Sequence, residues 1–430
     1  MTEKNDPQYD RRSVLSWCLY DWGNSAFATV IITFIFSVYF GRAMVGNETE
    51  GAAQWGMAIA ASGGLIAVLS PFLGAVADYY GARKPWILLF TLLCAGSTAL
   101  LYLGMPQGGA ANILLILTLI VLANTAFEIA LVFNNAMLPH LAPPHVLGRV
   151  SGWAWGMGYA GGLACLILSL VLLVGIGGIG PVLPLPQDNA EHIRAVGPLV
   201  ALWMLGFTVP MMLYTPDVPR SALSLGQTLG RGVRQLRDTL RTLRQQGNLT
   251  RFLIASAIYR DGLNTLFAMG GLYAAGTFGM NFQEILIFAI GLNVTAGLGA
   301  AGFAYMDDLR GSKQTVILSL IGLLCTGVAI LLVQDKAVFI GLAMVMGLFI
   351  GPVQSASRTM AARLSDPGQI GQTFGIYSLS GRVVSFFGPA AFAWAVMEFG
   401  SQRAGMATIL LFWLGGMMLL CSVKEQQKER

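Results

Sequence analysis

The sequence predicts an all-α membrane protein of twelve transmembrane helices in two pseudo-symmetric six-helix bundles. Three observations predict it. The 430 residues are 55% hydrophobic and only 11% charged, with a mean hydropathy of +0.66, whereas soluble domains carry about 25% charged residues. Apolar stretches of roughly 20 residues, enough to span a bilayer as helix, recur along the chain. The pattern D-x-x-N-[ST]-x-F occurs twice, as Asp21–Phe27 and as Asp261–Phe267. Each copy begins ten residues beyond an arginine, Arg11 or Arg251, so its carboxylate lies roughly 15 Å along the helix from that charge. An acid at such depth costs about 2.5–3.5 kcal/mol on insertion scales. Paying it at two matched positions implies a duplicated protein with an internal polar site.

Taken in order, the expected elements are a polar segment 1–13 and spans at 14–43, 54–77, 86–105, 111–138, 151–175 and 196–214. A linker follows at 215–251, then spans at 252–276, 283–306, 314–334, 337–361, 370–397 and 404–422, and a tail at 423–430. No cleavable leader is expected, because the first span is too long for a signal-peptide core and no small-residue cleavage site follows it. Most basic residues fall in loops on one side of these spans, and only Arg42, Arg194, Lys336 and Arg403 fall on the other. The excess of lysine and arginine on cytoplasmic loops then places the linker and both termini in the cytoplasm. Within the linker, Leu225, Leu229, Val233, Leu236, Leu240 and Leu243 recur at helical spacing among arginines. This reads as a cationic amphipathic helix lying on an anionic lipid surface.

The halves repeat at two further places. Asp78–Arg83 after span two matches Asp308–Lys313 after span eight, and Leu141–Gly152 before span five matches Leu364–Gly375 before span eleven. Parallel six-plus-six repeats are a transporter plan with the substrate site at the repeat interface. Glycines crowd span five (Gly152, Gly156, Gly158, Gly161, Gly162) and span eight (Gly291, Gly297, Gly299, Gly302), which predicts close helix–helix packing. Pro71, Pro210, Pro352 and Pro389 should kink or break their helices.

The stretch Gly74-x-x-x-Asp78-x-x-Gly81-x-Arg83-Lys84 resembles the signature loop of the major facilitator superfamily, between spans two and three where that family carries it. The second copy is degenerate: Ala304 replaces the glycine, and of the basic pair only Lys313 remains, although Asp308 and Gly311 persist. The opening Leu19–Phe27 is similar to the first-span motif of permeases like the yeast autophagy-related vacuolar amino-acid effluxer and their bacterial relatives, with Gly23 where alanine is common. The resemblance implies a major facilitator fold, export of amino acids or other small solutes, and a gating role for Gly74, Asp78, Gly81, Arg83, Lys84, Asp308, Gly311 and Lys313. Physics supports that role for the acids, since a carboxylate at a helix end can pair with arginine or cap a neighbouring helix N-terminus.

Polar residues inside spans form the candidate substrate and coupling set. Asp21 and Asp261 head it, with Asn24 and Asn264 three residues on and so on the same helix face. Glu128 lies in mid-span with Asn124 one turn before it and Asn134 and Asn135 after. Arg260 and Arg382 are the candidate cations; their first-half counterparts are Tyr20 and Tyr159, so the basic charge belongs to the second half. An arginine can grip a carboxylate bidentately or neutralise one of the acids.

The expected activity is secondary transport by alternating access. The solute is small and polar, such as an amino acid, with acids for its amine, an arginine for its carboxylate and protons as the coupling ion. A lipid or drug exporter of the same fold is the alternative, and a membrane-embedded lipid enzyme a more distant one. The expected partners are the solute, protons and membrane lipid. The net charge of +5 is sorted by loop and does not signal nucleic acid. No cofactor is expected: the five cysteines are scattered and no metal-ligand spacing occurs, nor does a Walker-type nucleotide loop. Short loops favour a bacterial inner membrane.

Overall fold

A computed structural model describes residues 10–175, 180–221, 227, 230–232, 234, 237 and 247–424. Among them, eleven helices are long and apolar enough to cross a membrane. The first, α1 (Arg11–Val45), starts as α-helix under an Asp10 side-chain cap and widens into π-helical turns at Phe27–Phe34 and Phe40–Val45. There follow α2 (Glu48–Tyr80), α3 (Lys84–Leu100), α4 (Gly109–Leu141), α5 (Leu147–Ser169) and α6 (Val196–Tyr214). The expected seventh span is α7 (Gly247–Phe278). At 32 residues it has the length to cross, but Arg251, Arg260 and Asp261 make it more polar than its neighbours, and it is not among the eleven. Next come α8 (Phe282–Arg310), α9 (Ser312–Leu332) and α10 (Lys336–Leu364). The eleventh span is two helices, α11 (Ile370–Val384) and α12 (Phe387–Phe399), before α13 (Gln402–Cys421).

Three of the four prolines do not break their helices: α2, α6 and α10 run on through Pro71, Pro210 and Pro352, as neighbouring helices in a membrane bundle can re-satisfy the groups a proline frees. Only Pro389 accompanies a break, sitting in the first turn of α12, where a missing N–H costs nothing. The leucine stripe predicted for the linker lies outside the described residues.

The chain forms two compact units. Unit 1 comprises 1–69, 81–137 and 157–220; unit 2 comprises 70–80, 138–156 and 221–430. In unit 1, α6 packs against α1 and α3; in unit 2, α13 packs against α7 and α9 in the same pattern. Small residues set these distances. In unit 1 the span-five glycines face α1: a Cβ on Gly158 would meet the Ser25 hydroxyl at 2.7 Å, and one on Gly161 the Trp22 backbone carbon at 2.7 Å. In unit 2, Gly299 lies against the backbone of Leu348 and Gly351 against that of Ala296, so α8 and α10 touch main chain to main chain.

The paired antiparallel helices end in reciprocal caps. In unit 1, Lys84 at the start of α3 donates Nζ to the Thr215 carbonyl just past α6, at 2.7 Å. Arg194, just before α6, returns a 2.7 Å bond from Nε to the Tyr102 carbonyl beyond α3. In unit 2, Lys313 at the start of α9 donates to the Cys421 carbonyl of α13, and Arg403 of α13 donates to the Leu331 and Val333 carbonyls ending α9. A cation on the last carbonyls of a helix satisfies orphan acceptors and complements the dipole. All four cations that the sequence leaves on the sparsely basic side are thereby engaged: Arg194 and Arg403 cap helices, while Arg42 pairs with Glu48 and Lys336 with Glu284.

Candidate functional site: two carboxylate caps and a polar span core

The signature loop and its degenerate copy build the same device in unit 2. Asp78, in the last turn of α2, accepts from the backbone N–H groups of Gly371 and Gln372 at the start of α11, both at 2.8 Å. Asp308, in the last turn of α8, accepts from those of Gly148 and Arg149 at the start of α5, at 2.7 and 3.1 Å. Arg149 Nε adds a 2.7 Å ion pair to Asp308, and Arg363 binds the adjacent Asp307 at 2.9 Å. The N-terminal amides of a helix are orphan donors at its positive end, so each carboxylate closes an otherwise unsatisfied turn. The repeated glycines permit the approach: a Cβ on Gly371 would lie 2.7 Å from the Gly74 carbonyl oxygen, and one on Gly148 2.6 Å from the Asp308 neighbour Asp307 Cβ. Gly81 and Gly311 turn the chain at φ of 86° and 93°, the left-handed region that glycine enters without strain.

Arg83 and Lys84 do different work in unit 1. Their backbone amides bind the carboxylate of Asp217, at 2.9 and 3.0 Å, capping α3. Asp217 had no motif to mark it, only its place between Pro216 and Pro219 in a turn-rich stretch.

The duplicated acids are held unequally. Asp21 is buried in α1 and accepts from the Asn134 side chain of α4 at 3.1 Å; Asn134 in turn accepts the Trp17 indole N–H on its backbone carbonyl. Asn24 is buried beside it, and its Nδ2 has no hydrogen-bond partner among the described residues. Asn124, one turn before Glu128, donates to the Ser62 hydroxyl at 2.6 Å. Asp261 is buried in α7 and accepts from Gly388 N–H at 2.8 Å, so it caps α12 where the eleventh span breaks. Its other oxygen, Oδ1, is buried without a donor among the described residues. Asn264 does not follow its first-half counterpart: it is exposed, while Asn24 is buried. Glu128 and Arg382 are partly exposed, and neither is without partners. Arg260 is partly exposed, with Nη1 3.1 Å from the Tyr377 carbonyl and its Cζ 4.2 Å above the Tyr377 ring.

One buried cation lies outside the candidate set. Arg358 in α10 donates Nε to the Ser151 hydroxyl at 2.9 Å and Nη2 to its carbonyl at 2.6 Å, tying α10 to α5 inside unit 2. Among the described residues no cluster of three or more metal-ligating side chains forms.

Helical spans in two related sets, joined by duplicated acid caps at a signature loop, define a major facilitator superfamily transporter. The family model described as "Vacuole effluxer Atg22 like" matches residues 43–430, and the chain belongs to that family. The MFS-type transporter YxiO of Bacillus subtilis is 26% identical over 96% of this chain and 94% of its own length. Autophagy-related protein 22 of Coccidioides immitis is 24% identical over 84% of this chain and 71% of its own. Among solved structures, the human organic anion transporter MFSD10 superposes with a TM-score of 0.74 at 15% identity, covering 96% of this chain and all of that one. At that identity the likeness concerns the fold.

Proposed function

We propose that this protein is a secondary active transporter that moves a small polar solute, of the amino-acid class, by alternating access with proton coupling. Its membrane is a bacterial inner membrane, with the signature-loop side cytoplasmic. The observation that carries the reading is the pair of matched caps, Asp78 on α11 and Asp308 on α5. Each joins a helix of one repeat to a helix of the other through a charged acceptor and two amide donors. A contact of this type is worth up to about 2 kcal/mol in partly buried geometry, and each 1.4 kcal/mol is about tenfold in population. Such latches bias a conformational equilibrium yet can be broken once per cycle. Asp21, Asn24 and Glu128 from the first repeat, and Arg260, Asp261, Asn264 and Arg382 from the second, supply the solute and proton contacts.

Proteoliposome flux with and without a pH gradient tests the reading. Glu128→Gln and Asp261→Asn should each weaken proton-driven flux while counterflow persists; if both leave proton-linked flux unchanged, the coupling assignment is wrong. Asp78→Asn with Asp308→Asn should increase alkylation of single cysteines placed beside Gly371 and Gly148. Flux only of bulky lipophilic compounds would instead favour the lipid or drug exporter.

A further inference from the structure

Arg260 is a positioned guanidinium with an open edge. It lies flat on α11: the Tyr377 ring is beneath it at 4.2 Å, and an added Cβ on Gly381, one turn later, would meet Cζ at 3.1 Å and both terminal nitrogens at 3.2 Å. Near-equal distances to those three atoms place Gly381 over the guanidinium plane. Tyr377 is itself stacked on Phe252 of α7, with ring centroids 6.0 Å apart and planes 3° from parallel. The one polar partner of Arg260 among the described residues is the Tyr377 carbonyl, on Nη1. Nε and Nη2 are neither bonded nor among the buried orphan atoms. These two form the side-on fork that matches the two oxygens of a carboxylate.

The carboxylate of the next residue, Asp261, accepts from the Gly388 amide and makes no ion pair with Arg260 among the described residues. An ionised group within a span is costly unless it is paired or faces water, and here the fork is left for a ligand.

We infer that the solute is recognised through a carboxylate held by the Nε–Nη2 fork of Arg260, with Tyr377 and Gly381 as positioning residues, and that an amine is not required. The inference rests on the transporter reading but shifts its substrate class from amino acids to organic carboxylates, with or without an amine.

Ligand-induced thermal shifts of the purified full chain test it with four probes: leucine, 4-methylpentanoate (leucine without its amine), 3-methylbutylamine (without its carboxylate) and leucinamide. Binding raises the melting temperature by mass action. Leucine and 4-methylpentanoate should both shift it; the amine and the amide should not. Arg260→Lys keeps the charge and loses the fork, and should weaken carboxylate binding about tenfold or more, the scale of one lost charge-assisted bond. Gly381→Ala keeps Arg260 and displaces it, and should weaken the same probes while the ligand-free protein still melts cooperatively. Shifts by the amine or amide, carboxylate shifts undiminished in both variants, or no shift with either carboxylate would each overturn the inference. Proton-driven flux of a non-carboxylate solute would do so while leaving the transporter reading intact.

Discussion

Asp21 and Asp261 illustrate how one motif can be put to two uses. Asp21 is bound by a side-chain amide, Asp261 by the backbone of a broken helix. Removing one partner of a buried charge strands the other, at about 1.5–3 kcal/mol for a bond to a charged group. Asn134→Ala should therefore lower the melting temperature clearly. Asp21→Leu with Asn134→Leu should recover most of that loss, since replacing both partners by apolar groups is nearly neutral. Transport by the recovered double variant would mark the pair as a structural clasp; its loss would mark Asp21 as a working residue. That both acids are buried within apolar helices was legible from the motif's place in the sequence. Their partners were not: Asn134 lies over a hundred residues away, and neither Gly388 nor Asn264 advertises whether it turns towards the acid.

At the scale of the element, glycine contacts and helix caps are the testable features. Gly161→Ala forces a Cβ onto the Trp22 backbone, which cannot yield as a flexible side chain would, and should destabilise by about 1–3 kcal/mol. Gly302→Ala meets nothing within 4 Å and should melt like the parent. The sequence named both glycines as packing residues, but only three-dimensional contact separates them. Arg403→Gln should free the carbonyls that end α9 and cost about 1.5–3 kcal/mol, the scale of hydrogen bonds to a charged group, read as a lower unfolding midpoint. Here the sequence carried half the information. It sorted Arg194 and Arg403 as cations on the unfavoured side; that each closes its antiparallel partner required the pairing of α3 with α6 and α9 with α13. The break in the eleventh span was anticipated at Pro389, yet α2, α6 and α10 continue through their prolines, because proline's effect depends on what surrounds the freed carbonyl.

For the whole molecule, the duplicated architecture was the most legible feature. Apolar length, the repeated motif and the repeated loop all point to two related sets of six helices, each reinforcing the others. The cap reading extends this, since Asp78 and Asp308 were matched by sequence and bind matched amides, at Gly371 and Gly148. Losing both caps should change which loops are reactive, as measured by alkylation, more than it changes unfolding. Losing Asp217, which binds α3 within unit 1, should lower the melting temperature with little change in that reactivity.

The polarity of α7 has a consequence for how the protein is made. A helix that carries Arg260 and Asp261 near its middle pays about 2.5–3.5 kcal/mol for each when it partitions alone into lipid. It is therefore a poor candidate to leave the translocon unaided. Its entry depends on helices that offer Gly388, Tyr377 and the α13 surface, all of which are synthesised later. The second repeat should thus settle in the bilayer late and together. A nascent chain stopped after residue 280 should show α7 only partly inserted in a glycosylation-mapping assay, and Arg260→Leu should raise that fraction.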